Sequence, residues 1–103
     1  MVSERARYSY EYTVFTILEY LFTRKFSEPV SKYHIMTRVR LPSQRPDRVS
    51  AIVDLLVAKG WVSLVKTEHA SFYQITPAGE TEYNRWIKAF LDFARSLYQI
   101  EAR

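Results

Sequence analysis

The sequence predicts an α+β protein, mostly α, in the order helix, short strand, helix, helix, two-stranded hairpin and long last helix. Three observations carry this. Apolar residues recur at helical spacing in Val14, Ile17, Leu18, Leu21 and Phe22, and again in Val49, Ile52, Val53 and Leu56. Residues 61–66 and 71–75 are rich in β-branched and aromatic side chains and lie one short connection apart. Thr76 followed by Pro77 is an N-cap followed by a first-turn proline, opening a helix that can run to Ile100.

Each element has a local cause. Ser9 is a candidate N-cap for a first helix over 10–24, whose periodicity outweighs the β-branched residues within 13–17. Residues 28–30 are extended at Pro29 and long enough for one strand bridge. Ser31 then caps a short helix over 32–38, expected to turn Tyr33, Met36 and Val39 toward the core. Pro42 and Pro46 force a turn, because each removes a backbone donor and restricts the residue before it. A third helix starts at Pro46, with Asp47 beside its positive end, and stops at Gly60. Residues 67–70 close the hairpin. At ~1.5 Å per residue the last helix is roughly 37 Å long, more than the body before it needs for cover.

The length of 103 residues suits one domain, a body over 10–76 followed by a terminal helix over 77–101. Apolar residues at 48% and charged ones at 25% exclude disordered and collagen-like classes. The absence of cysteine excludes disulfides, thiolate metal sites and thiol nucleophiles. The chain holds no long apolar run and residues 1–7 no hydrophobic signal core, so a cytoplasmic protein without a membrane partner is expected.

The net charge of +4 and pI near 9.5 allow an anionic partner. The surplus is local. Residues 24–48 hold Arg24, Lys25, Lys32, Arg38, Arg40, Arg45 and Arg48 against Glu28 and Asp47, net +5, while the remaining segments are balanced or slightly acidic. A solvated basic face is the alternative for such a cluster taken alone. Phe, Tyr and Trp make up 16% of the chain, more than a core of this size takes up.

A short helix, a tight turn, a second helix and a hairpin form a pattern with a family resemblance. Residues 55–62, Leu-Leu-Val-Ala-Lys-Gly-Trp-Val, and 72–80, Phe-Tyr-Gln-Ile-Thr-Pro-Ala-Gly-Glu, lie about ten residues apart. The first resembles the end of the recognition helix in winged helix-turn-helix proteins, and the second their exit from the wing into a C-terminal helix. Over residues 10–100 the chain is most similar to small archaeal and archaeal-virus regulators and to MarR- and PadR-like proteins that add a dimerising helix.

The resemblance implies double-stranded DNA as partner, with a recognition helix over 46–59 in the major groove and a wing over 62–75 near the backbone. With Val49, Ile52, Val53 and Leu56 inward, Asp47, Arg48, Ser50, Ala51 and Asp54 point outward. Ser43, Gln44, Arg45, Arg48 and Ser50 then stand at the end that reaches base edges or phosphate, since Arg pairs two-pronged with guanine and Gln with adenine. Lys32 is placed for phosphate. Arg38 and Arg40 flank the turn and suit either phosphate or nearby acids. The tip, with Lys66, Glu68 and His69, suggests phosphate contact rather than minor-groove reading; His69 adds charge at acidic pH or is an ordinary loop histidine.

The last helix carries more apolar surface than one stripe. Tyr83, Trp86, Ile87, Phe90, Phe93, Ala94, Leu97 and Ile100 are expected at a homodimer interface, with part of the face closing over helix 1. The alternative is a helix lying wholly on its own domain. Neither His34 nor His69 has metal-ligand spacing, and no nucleophile motif or phosphate-cradling glycine loop is present, so no enzyme, cofactor or metal is expected. The function expected is that of a sequence-specific, homodimeric transcriptional regulator. The alternatives are an architectural DNA binder and a winged helix used for protein contact. A small-molecule effector has no support in the sequence.

Overall fold

The computed structural model describes residues 4–39 and 45–101. Over them the fold is α+β and mostly helical. The elements are α1 (Glu4–Thr23), β1 (Val30–Ser31), α2 (Lys32–Arg38), α3 (Pro46–Ala58), β2 (Val62–Lys66), β3 (Ser71–Ile75) and α4 (Pro77–Glu101). The strands form one antiparallel sheet in the order β1-β3-β2. No described helix is long and apolar enough to cross a membrane.

Helix α1 begins earlier than expected, and Ser9 lies inside it. Glu4, Arg5, Ala6 and Arg7 are strong helix formers, so the backbone continues through the serine instead of starting at it. The apolar stripe is as expected, with Val14, Ile17, Leu18 and Leu21 buried. Ser31 serves two elements. It pairs with Phe72 in the sheet, and its hydroxyl accepts the His34 amide at 3.2 Å, capping α2.

The buried face of α2 differs from expectation. Ile35 is fully buried and Val39 nearly so, Met36 is half-buried, and Tyr33 stands 69% exposed. A two-turn helix with apolar residues at 33, 35, 36 and 39 has two possible inward faces. Packing against α1 and α3 selects the one centred on the aliphatic side chain. The turn over 40–44 lies outside the described residues.

Helix α3 matches its sequence signals. Val49, Ile52, Val53 and Leu56 are its buried stripe, Pro46 stands in the first turn and Asp47 beside the N-terminus. Gly60, at φ +81°, takes the left-handed conformation that ends the helix and sends the chain into β2. The strand begins at Val62 rather than Trp61. Beyond Val62 and the half-buried Ser63, β2 leaves the core, with Leu64, Val65 and Lys66 exposed. Tyr73 and Ile75 hold β3 to it. The hairpin closes where the Thr67 amide donates to the Ala70 carbonyl at 2.8 Å.

One corner joins the halves of the chain. The Thr76 hydroxyl donates to the Gly60 carbonyl at 2.6 Å and accepts the Gly79 amide at 3.0 Å. The Thr76 amide donates to the Trp61 carbonyl at 3.0 Å. Helix α4 thereby starts directly over the junction of α3 and β2. Its first turns pack on α1, where Phe15 stacks with Tyr83 and Trp86 at 5.6 and 5.8 Å and Phe22 with Tyr83 at 4.6 Å. Lys25 pairs with Glu80 at 2.8 Å beside this stack.

Gly79 has no room for a side chain. A Cβ there meets the Trp61 carbonyl oxygen, a backbone atom, and lies 2.8 Å from Ile75 Cγ1. Gly79→Ala is expected to cost at least about 2 kcal/mol in a denaturation midpoint, because neither α4 nor β2 can shift without breaking the corner.

Burial raises the Tyr83 phenol above its ordinary value, and the Glu19 carboxylate adds to the shift. The unfolded phenol therefore ionises first. Stability from this group is intact below the unfolded pKa of 10.0 and falls as pH rises past it toward the folded value. Urea midpoints from about pH 8 to about pH 11 are expected to decline less for Tyr83→Phe than for the wild type.

Candidate functional site

The expected basic residues occupy three separate surfaces. Arg40, Ser43 and Gln44 lie outside the described residues. Arg45 is the N-cap residue of α3 without a side-chain cap bond, and its Nε lies 3.4 Å from Asp47 Oδ1, both side chains being largely exposed. Arg48 is exposed one position further on, without an ion-pair partner among the described residues. Ser50, expected outward, is half-buried, since it flanks Val49 rather than the centre of the outer face. Asp47, Ala51 and Asp54 lie along that outer face and are exposed.

Lys32 crosses from α2 to α3, where Nζ meets Asp54 Oδ1 at 2.8 Å. The two acids of the outer face, Asp47 and Asp54, are therefore each matched by a cation. Arg48 adds an unmatched charge near the N-terminal end of α3, where the helix dipole contributes further positive potential. Such a face attracts an anion and offers donors of defined geometry.

The β2–β3 tip forms the second surface. Lys66 is exposed at the end of β2. His69 Nε2 lies 3.9 Å from Glu68 Oε2, with both side chains 90% exposed.

Arg38 belongs to a third surface. It sits in the last turn of α2, favourable for a cation, and faces α1 together with His34, one helical turn before it. With Arg24 from the end of α1 these residues line an open groove of about 590 Å³. The spacing of His34 and Arg38 was a legible signal in the sequence. The approach of Arg24 was not, because it depends on the angle between α1 and α2.

The face of α4 divides along its length. Tyr83, expected at a subunit interface, is 9% exposed and belongs to the core of its own chain, because Phe15 and Phe22 of α1 cover it. Trp86 and Ile87 are half-buried there. Phe90, Leu91, Phe93, Leu97 and Tyr98 are exposed, Ala94 half-buried, and the side chain of Ile100 lies outside those described. The molecule is 61 Å long, and its radius of gyration of 15.6 Å exceeds the roughly 13 Å of a compact chain this size.

Among the described residues, no three His, Asp or Glu side chains are grouped to hold a metal ion. No family model matches the sequence, and no curated protein is significantly similar to it.

Proposed function

We propose that this chain is a winged helix-turn-helix protein that binds double-stranded DNA as a homodimer and regulates transcription, without enzymatic activity. Helix α3 enters the major groove, the β2–β3 hairpin is the wing, and α4 is the dimerisation helix. The order of elements, with β1 seated on the outer edge of a hairpin that follows α3, is the order the family resemblance implies.

The observation that carries the reading is the outer face of α3. The segment with net charge +5 supplies α2 and the start of α3. On α3 the acids are matched one for one, by Arg45 with Asp47 and Lys32 with Asp54, while Arg48 stands unmatched. A face with fixed donors and acceptors supports base discrimination more than a uniformly basic one does.

Helix α4 supports the two-fold assembly. Tyr83, Ile87, Phe90, Ala94 and Leu97 alternate spacings of four and three, the seam of paired helices. The first two positions are covered by α1, and the exposed aromatic and leucine side chains beyond them match the chemistry of a second copy of the same helix. A two-fold dimer sets the recognition helices about one DNA turn apart, roughly 34 Å, and calls for a pseudo-palindromic site.

Selection from a random duplex pool followed by salt titrations on selected and random DNA tests the reading. A preference of several kcal/mol for one sequence is expected. A steep salt slope without preference indicates an architectural binder, and binding to neither indicates a protein-contact module. On selected DNA, Arg48→Ala is expected to cost ~1 to 3 kcal/mol and relax one base pair, whereas Lys66→Ala weakens all sequences alike and lowers the salt slope by about one.

Sedimentation at micromolar concentration checks the assembly. The full chain is expected as a dimer, and Phe90→Asp as a folded monomer with unchanged helical circular dichroism.

A further inference from the structure

The groove between α1 and α2 has a chemistry of its own. Its volume of about 590 Å³ lies within the roughly 300–1,000 Å³ range of small-molecule sites. Arg24, His34 and Arg38 line it, with Glu28 as the sole carboxylate among the described residues that line it. Exposed guanidinium groups are ordinarily solvated or paired. Here Lys25, Lys32 and Arg45 nearby each meet an acid, whereas neither Arg24 nor Arg38 has an ion-pair partner among the described residues. Two positive charges thus line one concavity, neither engaged in an ion pair among the described residues.

Local hydrogen bonding orients the imidazole. The Ser31 hydroxyl accepts the His34 amide and lies 2.8 Å from His34 Nδ1, within hydrogen-bond distance of the ring. In the tautomer in which Nδ1 accepts from this hydroxyl, Nε2 carries the ring proton, a third donor for an anion. The half-buried rings of Tyr20 and Phe72 supply apolar wall, and Arg24 already lies over the Tyr20 ring at 5.8 Å. Glu28 accepts hydrogen bonds from hydroxyl groups.

We propose that this groove binds a nucleoside monophosphate, with the phosphate held by Arg24, Arg38 and His34. The base packs on Phe72, beside the Tyr20 ring that Arg24 covers, and the ribose hydroxyls face Glu28. The guanidinium pair suits a phosphate because each group can present two parallel donors. The aromatic wall suits a planar base, and stacking on such rings tolerates any base. The site does not rest on DNA recognition by α3, since it uses none of the residues exposed on that helix.

Calorimetric titration of the full chain with AMP, adenosine and inorganic phosphate tests the proposal. Saturable AMP binding is expected, with adenosine and phosphate each at least tenfold weaker. The double variant Arg24→Gln/Arg38→Gln is expected to weaken AMP at least tenfold, with a thermal midpoint that verifies its fold, while Arg48→Gln leaves AMP binding unchanged. No AMP binding at millimolar concentration overturns the proposal, as does equal binding by the double variant. Loss of AMP binding in Arg48→Gln places the anion on α3 and also overturns it. A duplex-binding arm separates the two sources of phosphate. If the double variant loses DNA affinity and the wild type binds no AMP, the groove holds the DNA backbone and the small-molecule site is refuted.

Discussion

The corner formed by Gly60, Trp61, Thr76 and Gly79 governs how the rest of the chain is arranged. Four element ends meet there: the end of α3, the start of β2, the end of β3 and the start of α4. Gly60 supplies the left-handed turn, and Thr76, 16 residues later, returns two hydrogen bonds to that turn while capping the next helix. The close approach at Gly79 leaves no room for a Cβ, so α4 must leave the corner at one angle. Since β3 also carries β1, which leads directly into α2, the same corner sets how α2 and α3 face each other. The aliphatic core of Ile17, Leu18, Leu21, Ile35, Val53 and Leu56 fills the space so defined. Each of these side chains contributes about 1.5–3 kcal/mol by leaving water.

Charge on this framework is arranged by pairing more than by amount. Lys25, Lys32 and Arg45 meet Glu80, Asp54 and Asp47, and such partly or fully exposed pairs are worth ~0–1 kcal/mol each. They add little to stability. Their effect is on the surface potential, because they match three of the seven cations of the basic segment and leave, among the described residues, Arg48 on α3 and the Arg24 and Arg38 pair on the opposite flank of α2. A surplus confined in the sequence to residues 24–48 is thereby divided between two faces, the outer side of α3 and the α1–α2 groove.

The aromatic residues divide in a similar way. Phe15, Phe22, Tyr83 and Trp86 form one stacked group that binds the first turns of α4 to α1. Phe90, Phe93 and Tyr98 continue the helix outward, where α1 no longer covers them. The helix therefore has a structural half and an exposed half, and the transition falls near Ile87, where the neighbouring helix stops shielding it.

The elements legible in the sequence are those with local causes. Ser31, Pro46, Gly60 and Thr76 act through their own backbone geometry or through amides three or four residues away, so the ends of α2, α3 and the start of α4 followed from the residues alone. The stripe of α3 was equally legible, because four apolar positions at helical spacing leave one inward face. Where two faces were open, as with Tyr33 and Ile35, only packing chose between them. Ser9 misled because capping potential is a property of the residue, whereas a helix start depends on whether the preceding turn can continue. The start of β2 at Val62 and the commitment of Tyr83 to its own core likewise depended on neighbours distant in sequence. The same limit applies to the candidate surfaces. The basic segment could be located by counting, but Lys32 meets Asp54 across 22 residues and Lys25 meets Glu80 across 55. Which cations are matched, and which converge on a groove, is decided by interhelical angles, and those are set by the core and by the corner at Thr76. Short-range hydrogen bonding and periodicity thus fix the order and ends of most elements from local residues. Which charges and aromatic rings remain unpartnered is a matter of packing, because it depends on distances between residues far apart in the chain.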